Sequence, residues 1–236
     1  MALVVRMVLL VGLMIKGASM PSKAAGSHAS FEIVTRMEID VDGAPNAYGP
    51  PGKKTLDYLS NAHYRARPTG PIVGFLTDDD DPSVPIIQGP HDPYPGYYVS
   101  TTHFVDRTRD TKDPLRYVDA TKINYVVLGD EAKQRGARVG DFVAVYSKRH
   151  KRSVYGIVGD SGNPSGGEGS LHLLQDLGYP FRSGKTGTVE RKEIVIRFFP
   201  RSNTKHMFFR TQAALDEAAM KLGLNRDFPM VIASKH

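Results

Sequence analysis

The sequence predicts a mainly β chain with a few helices, folded as a single-domain β-barrel. Three observations carry this. Short runs rich in β-branched and aromatic residues recur between clusters of Gly, Pro, Asn and Asp, only two segments show sustained helical spacing, and 236 residues at 40% hydrophobic content suffice for one core.

The elements follow in order. Glu32 to Val41 alternates β-branched and polar residues and ends at Asp42-Gly43, a turn pair, so it is a strand. Ala44 to Lys54 is loop, and Thr55 to Ala62 is expected as one short helix. Thr69 to Pro95 is dense in Pro and Asp and predicts an irregular excursion. Within it, Asp78 to Asp81 lacks the alternating ligands and bend glycine of a calcium loop and reads as a solvated acidic tip. Tyr97 to Phe104 and Ile123 to Leu128 read as strands. Phe142 to Tyr146 and Ser153 to Gly159 form a hairpin with Lys148, Arg149, His150, Lys151 and Arg152 at its tip. A Gly-rich loop, Asp160 to Gly169, leads into a helix over Ser170 to Leu177 that Gly178 stops. Glu193 to Phe199 is a further strand, and Thr211 to Leu222 the clearest helix, with Gly223 just past its end.

Three segments organise the chain. Residues 1–29 read as a signal peptide and flexible N-terminus: Arg6 precedes an apolar run, Met7 to Ile15, with candidate cleavage after Ser19, Ala25 or Ala29. The expected location is therefore secreted, extracellular or periplasmic, with no membrane contact after cleavage. Residues 30–200 form the main domain, and 201–236 an extension whose helix packs on it. There is no cysteine, so stability must come from packing without disulfides.

The net charge of +6 is unevenly spread. Phe31 to Glu131 holds sixteen acidic and ten basic residues, whereas Ala132 to His236 holds nine acidic and eighteen basic. The basic cluster at 148–152 has no aromatic residue interleaved for base stacking, so it reads as a solvated hairpin tip and no nucleic-acid partner is expected.

Asp160 leaves an apolar strand and Glu168 follows eight residues later across a glycine-rich loop. Two carboxyl groups in unlike environments can run acid–base hydrolysis of a glycosidic bond. Spacing alone equally allows Asp160 to cap its own turn and Glu168 to sit in the first turn of a helix. Asp40 and Asp42 share one face of a strand end beside Asn46 and Tyr48, as a substrate rim, as a cation site, or as a polar strand terminus closing in an Asp-Gly turn. Asp119 precedes a buried strand and could cap a short turn. His63, His91 and His103 lack metal-ligand spacing, so neither metal nor cofactor is expected, and no Ser lies in a nucleophile-elbow context.

The series IDVDGAPNAY, LDYLSNA, QGPHDPYPGYYVSTT, RYVDATKINYVVL, GDFVAVYSKRHKRSVYGIVGDSGNPSGGEGS and EIVIRFF resembles, in order from Phe31 to Pro200, the glycoside hydrolase family 75 chitosanases. The resemblance implies an enzyme that cuts β-1,4-linked glucosamine polymers internally, with inversion, using Asp160 and Glu168. A monomer is expected, with a polysaccharide as its partner. Which of the two is acid and which base stays open. Asp40, Asp42, Asn46, Tyr48, Tyr98 and Asp119 fall in the matching segments and are the expected substrate contacts. Two departures stand out. The loop SGNPSGG is shorter than in typical members and bears on the carboxyl separation, and a basic protein should repel polycationic chitosan unless its acidic half, Phe31 to Glu131, lines the cleft or the substrate is a more acetylated or anionic glycan. A strand ending in D-x-G before a Gly-rich loop is also similar to the double-psi barrels of lytic transglycosylases and expansin-like proteins. That analogy makes a double-psi-like barrel, and a non-hydrolytic glycan-binding or peptidoglycan-active protein, the alternative expectation.

Overall fold

A computed structural model describes residues 28–64 and 71–228. The expected signal peptide falls outside the described residues except for its last two positions.

Six strands close a barrel in the order β1-β5-β2-β4-β3-β6. They are β1 (Phe31–Asp40), β2 (Tyr125–Leu128), β3 (Phe142–Ser147), β4 (Arg152–Ser161), β5 (Glu168–Ser170) and β6 (Thr188–Phe198). Two neighbouring pairs, β1 with β5 and β2 with β4, run parallel, and the others antiparallel. Closure removes the exposed strand edges that an open sheet of this size would present.

Period-two alternation divides the apolar residues into two sets. Met37, Val126, Val143, Val145, Val158, Ile194, Ile196 and Phe198, drawn from five strands, fill one core. The short helix α2 (Leu171–Asp176) adds Leu173 and Leu174 to it, and Leu177 follows. The opposite face of β2, β3 and β4, with Tyr125, Phe142, Tyr155 and Ile157, packs under the long excursion between β1 and β2 and under α3 (Gln212–Lys221). Leu215 and Ala219 of α3 and Leu224 beyond it lie in that second core.

The capping chemistry is local. Ser170 and Thr211 accept hydrogen bonds from the N–H groups of Leu173 and Ala214 at the starts of α2 and α3. Gly178 and Gly223, just beyond the two helices, take positive φ. A five-residue helix α1 (Asp130–Gln134), absent from the sequence reading, follows β2.

Two expected elements are corrected. Tyr97 to Phe104 makes isolated bridges only, Phe75 with Ser100 and Ile87 with Tyr98. Its partners change every few residues because the facing segments are Pro-rich, so no ladder propagates. Thr55 to Ala62 is a chain of turns. The Leu56 and Asp57 N–H groups donate to the Asn46 and Ala47 carbonyls, and the Leu56 carbonyl accepts from Gly184, which diverts the bonds a helix would need.

Candidate active site

The site forms across the ends of β1, β2 and β4 and the start of β5. In the β2–β4 pair the register slips by one residue between Val126 and Val127, so that Val126 faces Val158 and Val127 faces Asp160. Such a bulge re-aims the side chain that follows it. Gly159 permits it: a Cβ there would lie 2.6 Å from the Cβ of Tyr125. On the other side of β2, Val126 pairs with Gly169, which puts Glu168 at the start of β5. Asp160 and Glu168 are thus separated by the width of two strand gaps, about 9.5 Å between backbones. Strand pairing, rather than the loop that joins them, sets this span. Glu168 lies on a strand and not in the first turn of α2, whose cap is Ser170.

The joining loop is itself anchored. The Asp130 N–H donates to the Pro164 carbonyl, and the Glu38 N–H to that of Gly167. Gly129 and Gly166 touch backbone to backbone, a Cβ on Gly129 coming within 2.6 Å of the Gly166 nitrogen.

Three donors converge on Oδ1 of Asp160: the N–H of Ser161 at 2.7 Å, the N–H of His103 at 3.1 Å and the Nδ1 of His103 at 2.5 Å. The carboxyl group is buried while the imidazole above it is exposed. Hydrogen bonding to Asp160 raises the pKa of His103 above its ordinary value, against the effect of partial burial.

Beside this pair, the N–H of Asp42 donates to Oδ1 of Asp40 at 2.8 Å, and the Tyr48 hydroxyl to Oδ1 of Asp42 at 2.8 Å. The Tyr125 hydroxyl donates to the Asp42 carbonyl at 2.9 Å. Gly74, with φ of 78°, leaves room for the Asp42 carboxyl, since a Cβ there would lie 2.8 Å from Oδ1. Burial, then repulsion from Asp160 and Glu168, pushes Asp42 up to about 8. Burial and the charges of Asp42 and Asp160 raise Asp40 well above the usual carboxylate range. Burial also raises Glu168, against a hydrogen bond from Asn163. The cluster therefore combines proton-retaining carboxyl groups with one, Asp160, that faces a histidine.

These groups line a cleft of about 850 Å³. Six carboxyl groups wall it, those of Glu38, Asp40, Asp42, Asp57, Asp160 and Glu168, and neither Lys nor Arg does so among the described residues. Of the residues predicted from sequence, Asp160, Glu168, Asp40, Asp42 and Tyr48 meet there. The other three do not. Asn46 lends its carbonyl to Leu56, and Tyr98 is buried in an aromatic cluster with Phe75 at 5.1 Å between centroids. Asp119 folds back on the N–H and hydroxyl of Thr121 and pairs with Lys122.

Sequence reasoning missed His103 and Asp57. His103 reaches Asp160 across 57 positions, which no spacing announces. Asp57 is 7% exposed, held by the Tyr58 N–H and the Asn61 amide on Oδ1. Among the described residues no three His, Asp or Glu side chains are arranged to hold a metal ion. No family model matches the chain, and no curated protein matches it.

Proposed function

We propose that the chain is a glycoside hydrolase that cuts β-1,4-linked glucosamine polymers with inversion, in the manner of the family 75 chitosanases it resembles in sequence. The observation that carries this reading is the charge of the cleft. Among the described residues, six carboxyl groups and neither Lys nor Arg wall a groove in a chain of net charge +6, and of the six only Glu38 has an arginine, Arg36, as ion-pair partner. A polycationic glycan is the ligand that such a wall attracts, whereas the net charge would repel it.

Chemistry follows from the unlike surroundings of the two acids. Glu168, whose pKa burial raises toward the protonated form, protonates the glycosidic oxygen as the bond to the anomeric carbon breaks. Asp160, with Oδ1 engaged by three donors, uses Oδ2 to take the proton of a water that attacks that carbon from the opposite face. A two-strand gap leaves room for the water, as inverting enzymes need carboxyl groups about 6.5 to 9.5 Å apart. Export belongs to this reading on the strength of the N-terminal sequence alone.

The test is release of reducing ends from chitosan by the wild type, Asp160→Asn and Glu168→Gln, with the anomer of the first product read by NMR. Each substitution should lower the rate about 10²- to 10⁴-fold. Undiminished activity in either variant removes that residue from the mechanism, and chitosan retention without new reducing ends makes the protein a binding module.

A further inference from the structure

A second groove, also of about 850 Å³, lies next to the acidic cleft and carries the opposite charge. Its walls are the β3–β4 turn, the segment after α2 and the first half of β6, and Thr188 lines both hollows. Lys148, Arg149 and Arg191 face this groove. Lys151, Arg152, Arg182 and Lys192 are their near neighbours in the chain, and all seven are exposed. None of the seven makes an ion pair among the described residues. The register explains the clustering. Ser147 pairs with both Arg152 and Ile194, and the Lys148 N–H donates to the Glu193 carbonyl, so the hairpin tip runs alongside Arg191 and Lys192.

Two acids line the groove, and one is already engaged: Glu193 accepts from the Tyr179 hydroxyl at 2.7 Å. At the back of the groove, His150 Nε2 is buried with no hydrogen-bond partner.

We propose that this groove binds the anionic groups of a negatively charged polysaccharide. The aromatic residues speak against a single-stranded nucleic acid, and a double-stranded one is left to the test. Tyr179 is 5% exposed, with His150 at its edge and Phe181 stacked on its face, and Phe181 is also covered by Gly187. No open ring face is offered for bases to stack on, so recognition rests on charge and on hydrogen bonds to oxyanions. With an acidic cleft beside it, the protein would hold an anionic matrix polymer on one face while its cleft takes a cationic chain.

The experiment uses the full chain and dextran sulfate as probe, with uncharged dextran and single-stranded and double-stranded DNA in parallel. The expected result is binding to dextran sulfate that weakens as salt rises from about 50 to about 300 mM. The triple substitution Lys148→Gln, Arg149→Gln, Arg191→Gln should raise Kd about tenfold or more. A control triple of equal charge loss, Arg107→Gln, Lys112→Gln, Lys205→Gln, should change it less than about twofold. Equal weakening by both triples would overturn the proposal, because net charge alone would then explain binding. Tighter binding of either DNA than of dextran sulfate would overturn it in favour of a nucleic-acid surface. The outcome is independent of whether chitosan is cut.

Discussion

Nδ1 of His103 sits 2.5 Å from Oδ1 of Asp160, and the same residue's N–H donates to that oxygen. One residue thus fixes the carboxyl twice, through backbone and side chain, and the two donors differ in that only the ring can lose its proton.

The ring's titration should report this contact. His103 is raised above its ordinary 6.5 by Asp160, so its folded midpoint should fall in Asp160→Asn, as read by NMR. The contact stabilises the fold below pH 6.5 and is lost as pH rises through the raised midpoint. Because the ring is exposed, His103→Ala should cost no more than about 1 kcal/mol at pH 5.5 and less at pH 9. Its effect on catalysis should be larger. As a positioning residue, His103 should contribute about ten- to a hundredfold to kcat, and its loss should shift the pH profile of kcat. An unchanged profile would reduce it to a structural contact.

Asp42 should make the protein less stable as the solution becomes more alkaline. Its folded value is about 8 against 3.8 when exposed, so it binds more protons in the folded state over that interval. The stabilisation is complete below about pH 4 and disappears as pH rises through 8. Asp42→Asn should therefore raise Tm at pH 8 by at least about 2–4 °C, the shift that ~1 kcal/mol gives in a domain of this size. At pH 4 the gain should be small or absent, and equal gains at both values would contradict the assignment.

Gly129→Ala tests the anchoring of the loop. The added Cβ would meet the Gly166 nitrogen at 2.6 Å, a contact with backbone that no side-chain rotation relieves. The residue's φ is −87°, so steric overlap is the only penalty. A loss of about 1–3 kcal/mol is expected by chemical denaturation, with an accompanying loss of activity. Gly136→Ala serves as contrast, because φ of 93° strains it in open space.

Leu215 measures how far the C-terminal helix belongs to the core. It is fully buried with Tyr125, Phe142 and Tyr155. Leu215→Ala should cost about 2–5 kcal/mol, while the exposed Met220→Ala on the same helix should cost little. Equal, small effects would mark the helix as an appendage.

The barrel was largely legible because its rules are local. The β3–β4 hairpin announces itself by two apolar runs around a basic tip, and α2 and α3 by a capping hydroxyl at one end and a glycine at the other. Tyr97 to Phe104 misled because alternation describes a face and not a partner, and the neighbouring Pro-rich chain could supply only single bridges. The site was legible to the extent that it is built from strand ends, as with Asp40, Asp42, Asp160 and Glu168. His103 and Asp57 arrive on turns from other parts of the chain, and their positions follow from the His103–Asp160 contact and from the Asp57 N–H donating to the Ala47 carbonyl, bonds that leave no periodic trace.

The two acids stand on strands that flank β2, while the segment connecting them packs against Gly129 and Asp130 just past the end of β2. Its length is therefore uncoupled from the span across which a bond would be cut. The mouth of the groove is shaped instead by Asn163 and Pro164, the first bonded to the Glu168 carboxyl and the second to the Asp130 N–H, so a change there alters the setting of one acid while leaving the strand pairing in place.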